Sequence, residues 1–184
     1  MKKLYFDCEF TGLIQDTDLI SIGFITDCGK TFYAEFTDYD KSKINDWLDE
    51  NVIKRLKFNN LPDAVIIDND PSNFEIKANK QSISEQLKIW LSQFENLEVW
   101  SDCLSYDWML FCDLFGGAMD IPENIYYIPF DICTSFKELG IDPDINREVF
   151  AYGSEDTENK HNSLHDAIVI KDCDIKLNEL RNER

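Results

Sequence analysis

The stretch LYFDCEF, residues 4–10, constrains the chain more than any other. Its residues alternate as in a strand, where successive side chains point to opposite faces. Leu4, Phe6, Cys8 and Phe10 share one face, while Tyr5, Asp7 and Glu9 share the other. Asp7 and Glu9 therefore look the same way, with Cα atoms about 7 Å apart. Unscreened carboxylates so close repel, and one tends to keep a proton. Either this face is a solvated polar side, or something positive sits between the two acids.

The following segments set the fold class. DLISIGFIT (18–26) and TFYAEF (31–36) are rich in β-branched and aromatic residues, and the DCGK between them carries a turn glycine. Three consecutive antiparallel strands are expected. A helix is expected near 43–56, then a polar stretch at 57–81 with two prolines and no sustained period, read as a long loop or inserted arm with a short strand at AVII. From Ser82 the spacing of Ile83, Leu87, Trp90, Leu91 and Phe94 is helical, with Ser82 and Glu85 as a capping box. LEVWS (97–101) reads as a strand, Ser105 to Phe115 as a helix, YYIPFDI as a strand leading into a helix near 132–139, and the last 20 or so residues as a helix. Strands followed by alternating helix and strand mean an α/β mixed sheet flanked by helices. At 184 residues, 43% of them hydrophobic, the chain suits a single domain spanning 1–184.

Helical geometry makes further acids conspicuous. In the C-terminal helix, Val169, Ile170, Cys173, Leu177 and Leu180 fall within about 60° of Asp166, which puts that acid on the buried stripe. Serving the helix N-terminus after Ser163 would explain an acid in the first turn, but not one facing the core. Leu110, Phe111 and Leu114 lie similarly close to Asp107. Trp108, Cys112 and Phe115 make that helix apolar on its other side too, so it is expected to be covered twice, by its own domain or by a second subunit.

Asp7, Glu9, Asp107 and Asp166 thus converge from three elements, and without counter-charge they would oppose folding. Two divalent cations of the Mg²⁺ or Mn²⁺ kind resolve this, since oxygen-only donors suit hard ions and a pair can serve both sides of a displacement. His161, five residues before Asp166, is placed to take a proton from the attacking water. His165, off the stripe, reads as surface. The six cysteines lack CxxC spacing, which suits reduced thiols rather than zinc ligands.

The balance of 36 acidic and 18 basic residues, a net charge of −18, argues against nonspecific duplex binding. It leaves room for an enzyme that holds one chain end through metal ions. A locally basic stretch, Lys41, Lys43, Lys54, Arg55 and Lys57, is best explained as a solvated helix face. No apolar run approaches the roughly 20 residues that span a bilayer, so a cytoplasmic location without membrane partners is expected.

In this order and spacing, Asp7-x-Glu9, Asp107, and His161 with Asp166 resemble the DEDDh pattern of 3′–5′ exonucleases in the ribonuclease H-like superfamily. Over most of the chain, CEFTGL, LISIGFITDCGKTFYAEF, WLDENVIKRL, SYDWMLFCDLFGGAMDIP and KHNSLHDA are similar to the ribonuclease AS group, poly(A)-directed enzymes related to ribonuclease T. The resemblance implies two Mg²⁺ or Mn²⁺ ions on Asp7, Glu9, Asp107 and Asp166, and His161 as general base. It also implies mononucleotide release from the 3′ end of single-stranded RNA, and a homodimer. Phe10, Thr11 and Gly12 would lie beside the terminal nucleotide, with Trp108 a further substrate contact. The 57–81 and 141–160 stretches look longer than that pattern needs. The alternatives are an exonuclease acting on DNA or short oligonucleotides, and an acidic interaction protein with a vestigial metal site.

Overall fold

The computed structural model describes residues 1–155 and 159–183. Seven strands form one mixed sheet: β1 (Lys2–Phe10), β2 (Leu19–Thr26), β3 (Thr31–Phe36), β4 (Val65–Asp70), β5 (Asn73–Ala78), β6 (Leu97–Ser101) and β7 (Phe130–Asp131). Their spatial order is β4-β5-β3-β2-β1-β6-β7. β1, β2 and β3 pair antiparallel in sequence order, as expected, whereas β5 joins β3 and β6 joins β1 in parallel. The turn between β2 and β3 uses Gly29 at φ 86°, which favours glycine.

Among the described residues, six α-helices cover the sheet: α1 (Asp46–Asn51), α2 (Lys80–Leu91), α3 (Ser105–Asp113), α4 (Ile132–Glu138), α5 (Arg147–Tyr152) and α6 (Ser163–Asn182). The alternation in β1 sorts the two cores. Leu4, Phe6 and Cys8 join Phe24, Phe32, Trp90 and Phe111 on one side, a cluster of aromatic rings 5.6–6.4 Å from Phe24 at their centroids. Tyr5 and Ile25 join Ala167, Ile170, Cys173 and Leu177 of α6 on the other. α6 is pinned by a buried Asp174, whose Oδ2 accepts from the Tyr5 hydroxyl at 2.6 Å and from Lys3 at 2.5 Å.

The 57–81 stretch departs from expectation. It holds β4 and β5, an antiparallel hairpin that widens the sheet, with β5 burying Phe74, Ile76 and Ala78 on one face. β4 is an edge strand, apolar over 65–67 and polar over 68–70, with none of its residues fully buried. Only the short strand at AVII is close to what forms. The helix expected at 43–56 is shorter, six residues of α1 between 3₁₀ turns at Lys41–Lys43 and Ile53–Arg55. α2 starts two residues before Ser82, capped by Asn79, whose side chain accepts from the Ser82 amide at 2.9 Å; the Ser82–Glu85 capping box does not form. The 141–160 stretch contributes α5, and its residues 156–158 lie outside the described part.

The second apolar side of α3 is covered by its own chain. Cys112 and Phe115 are buried and Trp108 packs against the same core, stacked on Phe111 at 5.3 Å; Met109 is left exposed. Among the described residues no helix is long and apolar enough to cross a membrane.

Candidate active site

The site forms where β1 loses its parallel neighbour. Pairing of β1 with β6 ends at Tyr5 and Trp100. Farther along β1, the Cys8 amide donates instead to Asp107 Oδ1 at 3.0 Å, so the first turn of α3 places its acid against the strand that carries Asp7 and Glu9. A register shift in the β1–β2 pairing falls between Glu9 and Phe10. Such bulges re-aim side chains beside functional sites.

From the other side comes α6. Asn162 caps it, accepting from the His165 amide at 3.1 Å, and Ser163 Oγ lies 3.0 Å from Ser21 Oγ on β2. This close approach depends on Gly23, the register partner of Asp7: a Cβ there would fall 2.3 Å from the Leu164 nitrogen. A glycine inside a strand often marks another backbone lying close. Asp166 is thereby lowered toward Asp7 and Glu9, and carboxylate oxygens of the three lie within 4.8 Å of one another. Asp107 stands outside that trio, with one oxygen engaged by Cys8, yet among the neighbouring charges it acts most strongly on Asp7.

The electrostatics follow from this crowding. Among the described residues no lysine or arginine forms an ion pair with any of the four acids. Burial, reinforced by Asp107, Asp166 and Glu9, raises Asp7 well above the usual carboxylate range. Burial followed by Asp166 and Asp107 pushes Glu9 to about 8. Burial takes Asp107 to about 7 against the pull of the Cys8 amide, and Asp166 to about 7 against His165 and the His161 amide. Four acids that resist ionisation together, three of them with oxygens in mutual reach, are a donor set that fits hard divalent ions.

His161 sits at the rim with Nδ1 3.9 Å from Glu9 Oε1. Burial, then Lys160 and Arg55, lower its pKa and keep the imidazole neutral. Its φ of 64° lies in the left-handed region. His165 does not behave as a surface residue: it is partly buried, with Nε2 3.2 Å from Glu148 Oε1 on α5. Glu148 is 5% exposed and lines the site's cavity of about 330 Å³ with Asp7, Asp102, Arg147, His161 and Asp166. Neither Glu148 nor Arg147 stands out in the sequence. Arg147 grips Asp102 through two bonds of 2.7 Å, setting a positive charge beside a carboxylate that acts on Asp7.

The residues expected to touch substrate are dispersed in role. Phe10 stacks on Tyr106 at 5.6 Å. Thr11 is buried, its hydroxyl accepting from the Asp18 amide at 2.9 Å, and the Gly12 amide donates to Thr17 Oγ1 at 3.0 Å. The basic stretch is spent on neighbours: Lys43 pairs with Asp16 and Asp18, Lys54 with Asp49 and Glu50, and Lys57 with Glu75. A larger hollow of about 580 Å³ beside α1 contains a buried acid, Glu35, but Tyr33 and the Phe58 amide satisfy it at 2.9 and 3.0 Å. The uncompensated charge is at the Asp7 cluster.

A mixed seven-stranded sheet of this order, flanked by helices, is a ribonuclease H-like fold. The solved structure of the RNase domain of the yeast Pop2 protein has the same fold, with a TM-score of 0.60 over 95% of this chain and 76% of that one, at 12% identity. A family model for the Rv2179c-like 3′–5′ exoribonuclease domain matches residues 2–173, and the chain belongs to that family. Two relatives from Mycobacterium tuberculosis, the 3′–5′ exoribonucleases Rv2179c of strain H37Rv and MT2234.1 of strain CDC 1551, are each 23% identical over 125 residues, 67% of either chain.

Proposed function

We propose that the protein is a DEDDh-type 3′–5′ exoribonuclease of the ribonuclease AS kind, releasing nucleoside monophosphates from single-stranded, A-rich RNA ends by a two-metal mechanism. The observation that carries this is the convergence of Asp7, Glu9 and Asp166, beside Asp107, with no lysine or arginine ion-paired to them among the described residues. Family membership supports the direction of cleavage and the RNA substrate.

Two Mg²⁺ or Mn²⁺ ions, when bound, supply the positive charge that an attacking water and a departing 3′ oxygen require. Asp7, central among the acids, would hold both ions; Glu9 and Asp166 complete one position and Asp107 supports the other. His161, kept neutral by burial, accepts the proton of the attacking water. The 10–12 stretch lies beside the terminal nucleotide in this reading: Thr11 shapes the loop from within and Phe10 shares its stack with Tyr106. Trp108, committed to Phe111, contributes at most an edge. The enzyme would work as a cytoplasmic homodimer, with exposed Leu13, Ile14 and Met109 as apolar surface to be covered.

A time course on 5′-labelled single-stranded oligo(A) RNA and its DNA counterpart tests this, with Mg²⁺ or with EDTA. A ladder shortening from the 3′ end, dependent on the ion and faster on RNA, is expected. Absence of cleavage with both Mg²⁺ and Mn²⁺ overturns the reading, and equal turnover of DNA overturns its sugar preference.

A further inference from the structure

We propose that Trp47 is a positioning residue for the His161 imidazole, with Arg55 fastening the backbone behind it. This rests on His161 acting as the general base. Its ring needs a fixed direction, yet among the described residues no hydrogen bond holds it: the nearest carboxylate oxygen, Glu9 Oε1, is 3.9 Å away. Packing has to do the work. The indole of Trp47 meets the imidazole edge to face, with centroids 5.2 Å apart and planes 77° apart, a favourable aromatic geometry. The backbone at His161 is left-handed at φ 64°, a conformation that persists in a non-glycine residue only when its surroundings impose it. Arg55 Nη1 donates to the Lys160 carbonyl at 2.8 Å and ties this segment to the 3₁₀ turn that follows α1. One short helical unit thus holds the base by its ring and by its main chain.

The burial pattern separates this role from simple core packing. α1 is seated by Leu48 and Val52, 6% and 0% exposed, against Ile20. Trp47 on the same helix is 54% exposed. An indole that leaves half its surface in water adds little to the core, and its principal ring contact is His161. Removing it should leave α1 docked and free the imidazole to rotate.

The test is a double-mutant cycle with Trp47→Ala, His161→Ala and the pair, using oligo(A) RNA and Mg²⁺, together with Trp47→Phe. For Trp47→Ala, kcat is expected to fall by about tenfold or more with KM within about twofold, because a misdirected base costs turnover rather than binding. Trp47→Phe should recover most of the rate. In the His161→Ala background, Trp47→Ala should cost nothing further. The chain has 2 histidines, so proton NMR can follow the His161 ring signal, identified by its loss in His161→Ala; it should shift in Trp47→Ala as the indole ring current disappears. Unchanged kcat with His161→Ala impaired overturns the positioning role alone. A raised KM at constant kcat, or a full additional loss in the His161→Ala background, overturns it in favour of direct substrate contact. A wild-type rate for His161→Ala removes the general base and this proposal with it.

Discussion

Gly23 lies opposite Asp7 in the β1–β2 ladder, and the backbone of Leu164 occupies the space where a side chain of residue 23 would stand. The start of α6, and with it Asp166, reaches the acids of β1 because that one residue has no Cβ. Gly23→Ala should therefore do two things. It should lower stability by about 1–3 kcal/mol through overpacking, a melting shift of about 2–4 °C per kcal/mol at this size. It should also depress turnover by moving Asp166 outward. Thermal melts and nuclease rates measured together check this; an unchanged rate would mean that the spacing of α6 over β1 is not critical.

The pKa pattern carries a pH prediction for the metal-free protein. Asp107 and Asp166 are raised to about 7 and Glu9 to about 8, from ordinary values of 3.8 and 4.5. An acid with a higher pKa folded than unfolded binds more protons when folded, so stability is lost as pH rises through that interval. In EDTA, Tm should fall between about pH 5 and pH 8, and fall less in Asp7→Asn. Added Mg²⁺ should raise Tm more at the upper end, where fewer protons compete with the ion for the four acids. An equal Mg²⁺ effect in wild type and Asp7→Asn would contradict this.

Arg147 offers a test of charge balance away from the acids themselves. Its two bonds to Asp102 hold a positive charge against a carboxylate that adds to the repulsion on Asp7. Arg147→Ala should destabilise by about 3–5 kcal/mol, as expected when one partner of a largely buried ion pair is removed. Arg147→Lys should not restore it, because an ammonium cannot form the paired fork. Denaturant melts of both variants decide the point.

The alternation in residues 4–10 made the two faces of β1 legible before any coordinates, because an apolar–polar period of two has only one structural meaning in a strand. Helical spacing did the same for Asp166. Other parts left weaker traces. Of the β4–β5 hairpin only the AVII end of β4 is legible; β5, NFEIKA, lies in a polar stretch without a sustained period and reads as loop. Glu148 and His165 meet across two helices, a contact with no signature in either segment. Gly23 did leave a signal, a glycine inside LISIGFIT, whose meaning appears only once α6 is seen above it.

The most direct measurement is turnover of 5′-labelled oligo(A) RNA by wild type, Asp7→Asn and Asp166→Asn at saturating Mg²⁺, with circular dichroism confirming that each variant is folded. If the converging carboxylates carry the cleavage, both variants lose activity by about a hundredfold to a thousandfold, the scale of removing a principal electrostatic element of a site, while they remain folded and, in EDTA, melt no lower than wild type. Turnover close to wild type in both folded variants would show that the acids gathered over β1 are not the seat of the reaction.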